Sequence, residues 1–464
     1  MGRLVTPIAC IAVVAAMLAS RIHMVLGAVL ILAVLSPLYV GALYRTLRDP
    51  IPAFGFLFPQ LLLFMMVTGL EYRQYANLMI LGLFAWTMGR VFMGDWKVQR
   101  PPLRYTLWIA CFTAWAFVAA IASPQADWSL WVAAHYLFMI LTLVAVYQFL
   151  DTEAKVLRFF DWLIRGSAFY SIIVFSLLFH QGREFGLAQL MMLKGDIYGV
   201  GTNAVPIPAI VCFPCALARF LGGGKGRQWY GAATILFLGL IGLSLSRSAW
   251  LGAAVAGSAC VIIYEIVSGR FVRLLQIGAV LGLASAVAVA WNWETISAVV
   301  GLERGTTGRI YLWRAALQMI ADHPFTGIGP GMWSMMDAVY ADYEGPIDLT
   351  HFLPSAHNTF LMQAAEMGIP AGVGVLVFVS MLSWDSLRGA LDRRAPVSAP
   401  YRIHLLGCFG LVTIITVRGL FESSLVVWPG GASATAWLIF VVVSVARMAR
   451  PAHSREGAGA PIAR

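Results

Sequence analysis

Charge is what this sequence has least of. Only 12% of its 464 residues are Asp, Glu, Lys or Arg, while 60% are hydrophobic. A soluble domain carries about a quarter charged and about half apolar residues, so a water-soluble globule is excluded. No H-E-x-x-H and no carboxylate cluster argues for a catalytic metal. The turn Gly327-Ile328-Gly329-Pro330-Gly331 lacks the strand, Lys and Ser/Thr of a phosphate-binding P-loop, so no nucleotide is assigned. Cysteines number six, at 10, 111, 212, 215, 260 and 408, all in or beside apolar segments. Cys212 and Cys215 are spaced as C-x-x-C but lie inside an apolar run, which reads as core packing, and no structural disulfide is implied. No internal repeat and no self-sufficient soluble domain is visible.

What the sequence does have is long apolar runs of roughly 17–25 residues, the span of a bilayer core. They are continuous rather than alternating, which argues against a β-barrel. The expected fold is an all-α, polytopic membrane bundle of about 12–14 transmembrane helices. The spans fall near 5–19, 24–44, 52–70, 76–93, 105–122, 129–150, 162–180, 204–221, 229–245, 249–266, 271–291, 357–384, 403–420 and 430–448. Residues 1–450 then form one membrane domain, with a large outer loop at 292–356 and a disordered tail at 451–464. Met1-Gly2-Arg3 fits a short myristoylation pattern, and the apolar run to Ala19 resembles a signal peptide. A second apolar segment follows at once, which favours a retained first helix.

The net charge of +10 reads as orientation signal rather than nucleic-acid affinity, because Lys and Arg accumulate on cytoplasmic loops. With the N-terminus inside, Arg45, Lys97, Arg104, Arg158, Lys225, Arg273, Arg388, Arg402 and Arg447 all fall inside, as does the basic C-terminus. Nine of the 32 basic residues then break the rule, among them Arg183, Arg247, Arg304, Arg309, Arg314 and Arg418. A lone arginine at a helix end usually snorkels. Several on one membrane face suit an anionic head group, since guanidinium forks match phosphate oxygens, and a diphosphate is the natural candidate.

Two outer loops exceed a turn, 181–203 and 292–356, and loops of that length are often functional. Within the second, Thr306-Thr307-Gly308 precedes an amphipathic helix from Arg309 to about Ala321, with apolar Ile310, Trp313, Leu317 and Ile320 at helical spacing. Its N-terminus, with Arg309, favours anions. Trp313 and its neighbours equally suit a helix lying on the bilayer. Among eight histidines, His404 reads as a loop or helix-end residue and His135 as packed. His357 is the catalytic candidate. It opens a membrane helix with Ser355 as a plausible N-cap, where a neutral imidazole able to accept a hydroxyl proton is favoured. Glu366, nine residues on, faces the opposite side of an ideal helix and reads as structural unless Gly368 and Pro370 bend the chain.

Together these residues resemble the O-antigen ligase/polymerase family. The resemblance rests on Ser246-Arg247-Ser248 at a hairpin, Gly308-Arg309 with Trp313, Asp322-His323-Pro324 leading to Gly327–Gly331, and His357-Asn358 with Glu366, Gly368 and Pro370 following. It implies transfer of a glycan from undecaprenyl diphosphate to a hydroxyl acceptor by an inverting, metal-independent reaction without cofactor, in the bacterial inner membrane with the site facing the periplasm. The acceptor is another lipid-linked repeat unit for a polymerase, and lipid A-core or a protein serine for a ligase or protein transferase. A flippase and a chain-length regulator are implied partners; nucleic acid is not. The resemblance places the catalytic histidine on His357 and the phosphate-binding arginines on Arg247 and Arg309, with Asn203 as a polar residue before a membrane helix. Arg183, Arg314, Asn358 and Arg418 are added as substrate-binding candidates from position. A polysaccharide flippase is the alternative of another class. It should carry ionisable residues near mid-bilayer and repeated halves, and here the polar groups gather on one face.

Overall fold

A computed structural model describes residues 49–60, 89–90, 99–185, 196–197, 200–201, 206–244, 246–270, 272–273, 276, 278, 309–333, 355–394, 396–422 and 432–448. The order is α1 (Ile51–Leu57), a 3₁₀ turn (Phe58–Gln60), α2 (Leu103–Ile121), α3 (Ala126–Phe149) and α4 (Glu153–Phe185). A two-residue antiparallel hairpin follows, β1 (Asp196–Ile197) with β2 (Val200–Gly201). Then come α5 (Ile207–Gly222), α6 (Arg227–Leu243), α7 (Arg247–Val267), α8 (Arg309–Asp322), α9 (Thr359–Ala390), α10 (Pro400–Gly419) and α11 (Ala432–Met448). The chain is a polytopic helical membrane protein. Among the described residues six helices are long and apolar enough to cross a bilayer: α2, α3, α4 over Glu153–Leu177, α7, α9 and α10. The spans expected at 5–19 and 24–44, and most of those at 76–93 and 271–291, lie outside the described residues.

Local sequence explains the helix limits. Proline stands in the first turn of α5 and α10, where its missing N–H costs nothing. Gly223, with φ +73°, follows the end of α5. α10 is the central post, packed against α5, α7 and α9. Small residues allow this closeness: a Cβ on Gly410 would lie 2.6 Å from both Cys260 Sγ and Pro214 Cβ, the close backbone approach on which membrane helix packing relies. His404, expected near a helix end, is instead buried in α10, where Nε2 meets Ser444 Oγ at 3.0 Å. The reason is that α10 starts earlier than its apolar run does. His135, expected to be packed, is half-buried on α3, where its ring meets Trp131 edge-on and Nδ1 bonds back to Trp131 O at 2.9 Å.

Cross-helix contacts fix the register, and with it the two ends of the bundle. Trp108 and Trp115 on α2 donate to Gly374 O (3.0 Å) and Met367 O (2.8 Å) on α9, so these helices run antiparallel. On α7 and α10, Gly252 faces Ile414 and Cys260 faces Leu406 O, again antiparallel. One end therefore gathers the start of α7, the start of α9 and the end of α10. The opposite end holds the Arg104–Asp385 pair at 2.6 Å, the Arg219–Asp161 pair at 3.2 Å, and the Arg158–Asp49 pair. Buried Arg402 and Arg447 sit there too, capping the carbonyls of Ala390 and Leu150. Arg104, Arg158, Arg402 and Arg447, which the charge rule groups together, share this end.

Candidate active site

The site begins with a break in a helix. α9 has 32 residues, more than the roughly 20 that one crossing needs. Gly368 interrupts it with φ +80° and ψ +168°, a conformation open to glycine. A break orphans backbone groups, and the Gly/Pro loop after α8 takes them up. Ile369 N–H donates to Pro324 O at 2.8 Å, while Ala365 O and Glu366 O accept from Ile328 N (3.0 Å) and Gly329 N (2.9 Å). The fit is close enough that a Cβ on Gly327 would lie 2.3 Å from the Glu366 carbonyl carbon. Glu366 is buried, and its Oε1 accepts Trp333 N–H at 3.3 Å. It bonds the loop rather than His357.

α8 is clamped onto this platform. Leu312, Ala316 and Met319 share a core with Ile328, Met332 and Trp333 from the loop, and with Ala356, Met362 and Ala365 beside and within α9. The buried stripe differs from the expected one: Ile310 and Leu317 are exposed, because α8 packs on a helix and a loop that reach a different arc of its surface. Trp313 is half-buried, and its indole N–H donates to Ala356 O at 3.1 Å.

That bond fixes the backbone just before His357. His357 carries φ +47°, the positive φ of a non-glycine residue, which is uncommon and strained. Ser355 Oγ accepts the His357 N–H at 3.4 Å. The N-cap of α9 is Asn358 rather than the expected Ser355. Asn358 Oδ1 accepts Phe360 N (3.0 Å) and Leu361 N (3.1 Å), so the helix starts two residues after His357. Asn358, expected to bind substrate, thus spends its acceptor on the cap.

Three distant chain segments meet at Glu422, just past α10. Its Oε2 lies 3.2 Å from His357 Nδ1, and its Oε1 accepts from Arg309 Nη2 at 3.2 Å. Thr359 Oγ1 donates to Glu422 O at 2.8 Å, tying the start of α9 to the same residue. Arg418, in the last turn of α10, is 6% exposed, and Glu422 is 7% exposed. Burial pushes the Glu422 carboxyl up, but the His357 hydrogen bond and the charges of Arg418, His357 and Arg309 outweigh it and hold it below its ordinary value. Glu422 is therefore ionised at neutral pH and only accepts hydrogen bonds. In the neutral imidazole of His357, Nδ1 carries the proton facing Glu422 and Nε2 keeps the lone pair. Nε2 then has the form a general base requires.

The structure brings together three expected residues, His357, Arg309 and Arg418. Arg247 is the first residue of α7 and exposed, and the antiparallel register with α10 sets it level with the last turn of that helix, at the same end. Arg314 is exposed on α8, five positions past Arg309 and so on another side of the helix. Arg183 lies in the last turn of α4. Asn203 and Arg304 fall outside the described residues. Glu422 was not expected from sequence, although it stands four residues after Arg418 in a chain with only 22 carboxylates.

Residues 232–376 match the family model described as O-antigen ligase. Over this segment the chain is similar to the O-antigen ligase family. The matched stretch holds α7, α8 and the first half of α9, and with them Arg247, Arg309 and His357. Arg418 and Glu422 come from beyond it, so the carboxylate on the histidine is supplied by a part of the chain outside the matched segment. No curated protein matches the sequence.

Proposed function

We propose that the protein transfers a glycan from undecaprenyl diphosphate to a hydroxyl acceptor, as a polysaccharide polymerase at the periplasmic face of the bacterial inner membrane. The observation that carries this reading is the cluster of His357, Glu422 and Arg309 at one end of the bundle. Glu422 holds the imidazole with Nε2 as acceptor. The acceptor hydroxyl gives its proton to Nε2 while its oxygen bonds to the anomeric carbon. The bond from that carbon to the diphosphate oxygen breaks on the opposite face, inverting the centre, and the lipid diphosphate leaves with the electron pair.

The charges suit that leaving group. Arg309 and Arg418 bring two positive charges against the one negative charge of Glu422, and Arg247 adds another cation at the same end. A guanidinium has five N–H donors, so the bond from Arg309 to Glu422 leaves capacity for phosphate oxygens. Preorganised cations of this kind stabilise charge as it develops. A diphosphate is already a good leaving group, so the scheme asks for neither a metal nor a cofactor.

The test is transfer by the purified, membrane-inserted protein given a lipid-linked repeat unit. His357→Ala is expected to abolish product while inserting normally, and normal transfer by that variant overturns the scheme. Chain elongation without any other acceptor identifies a polymerase. Product formed only after lipid A-core or a protein is added identifies a ligase or protein transferase instead.

A further inference from the structure

Between the second half of α9 and the C-terminal half of α10, the bundle surface opens into a lateral groove of about 350 Å³. Leu376, Val379 and Trp384 form one wall, and Phe409 and Val417 the other. Leu376 is 51% exposed and Trp384 64%, so the groove opens sideways, on the flank of two helices that cross the bilayer. No charged residue lines it. Thr413 and Thr416 do, but their hydroxyls donate to Phe409 O and Val412 O of their own helix, each at 2.8 Å. These two hydroxyls are thus satisfied within their own helix, and Ser380 and Ser383 add two further small hydroxyls to the lining. Serine and threonine commonly bond back in this way within apolar surroundings.

The groove is not isolated. Gly389 faces Leu405 across the antiparallel pair α9–α10, and continuing that register sets Leu376 opposite Val417. Val417 immediately precedes Arg418, and Glu422 follows within a few residues. The largely apolar groove thus runs toward the end of the bundle that holds a cluster with net positive charge. A diphosphate carries more negative charge than the single phosphodiester of a common phospholipid, so the cationic end favours it as the head group.

We propose that this groove seats the isoprenoid tail of the donor, with its diphosphate among Arg418 and Arg309 and its first isoprene units running between α9 and α10. The inference rests on reading the cluster as the site of glycan transfer, and names the surface that brings the lipid to it.

The test uses the full-length protein in nanodiscs and a polyprenyl diphosphate bearing a diazirine near its head group, with labelled peptides mapped by mass spectrometry. Labelling is expected on 376–387 and 409–417, suppressed by excess polyprenyl diphosphate and not by phosphatidylglycerol. Labelling elsewhere, or equal suppression by phosphatidylglycerol, overturns the groove. A second measurement fills it: Thr413→Phe is expected to raise KM for a long-chain donor about tenfold, the effect of displacing about two buried methylenes. The turnover number and the KM for a short-chain donor stay unchanged. A KM that is insensitive to this filling also counts against the proposal. Glycan transfer with the label mapped elsewhere removes the groove and leaves the function standing. Label confined to the groove with no transfer from any polyprenyl donor does the reverse.

Discussion

Glu422 does two things with one carboxylate: Oε2 orients His357 and Oε1 holds Arg309. Glu422→Gln keeps the shape but can present an amide N–H to Nδ1, which moves the imidazole proton to Nε2 and removes the acceptor. Changing the carboxylate that orients a general-base histidine to its amide costs up to about 10⁴-fold, so turnover of the lipid-linked donor is expected to fall by orders of magnitude, with membrane insertion intact. Unchanged turnover removes the orienting role. The same group sets a pH dependence. Its folded pKa lies below the ordinary glutamate value of about 4.3. Its contribution to stability is therefore full above that value and is lost as pH falls through the lower folded one. Melting curves in detergent between pH 7 and 3 should show a loss in the wild-type protein that Glu422→Gln lacks. At this scale the sequence was informative where chemistry is rare. Several arginines break the charge rule of the expected topology, and one histidine stands just before a membrane helix. Glu422 was hidden because nothing local to it says that residues 113 and 65 positions away fold against it.

Among the elements, α8 sets the geometry of the site from both sides. Arg309 at its start grips the carboxylate, and Trp313 one turn later grips the backbone before His357. Trp313→Phe removes one hydrogen bond, about 0.5–1.5 kcal/mol, and frees a strained residue. The expected signature is a fall in the turnover number with the KM for the donor retained; a change in KM alone points to simple packing. The break in α9 is less forgiving. Gly327→Ala places a methyl 2.3 Å from backbone at φ +64°, and a loss of more than about 3 kcal/mol is expected, beyond the usual range for a point change. Thermal unfolding in detergent measures it, and a variant that melts with the wild type contradicts the fit described. Helix positions were legible because apolar runs announce them, and Gly368 with Pro370 flagged the bend. The pairing of the Gly/Pro loop with that bend was not, because a turn sequence says that the chain reverses and not which distant carbonyls receive its N–H groups.

For the molecule as a whole, the charge rule and the helix register agree. Arg104, Arg158, Arg402 and Arg447 share one end and the candidate site occupies the other. The polar contacts at the far end differ in weight. Arg158 and Asp49 are both substantially exposed in their pair, and exposed pairs contribute about 0–1 kcal/mol. Asp49→Asn should therefore leave both transfer and melting temperature nearly unchanged, and a large loss in either shows that the pair matters more than its exposure suggests. The histidine, the first arginine and the carboxylate stand at 357, 309 and 422, on elements added one after another as the chain is made. Synthesis proceeds from the N-terminus, so the base and the cation are in the membrane before the residue that orders them. A nascent chain halted before α10 carries His357 without its carboxylate partner and Arg309 without its anchor. The candidate site is thus assembled only once the chain has passed α10, and an unfinished chain carries its parts without their arrangement.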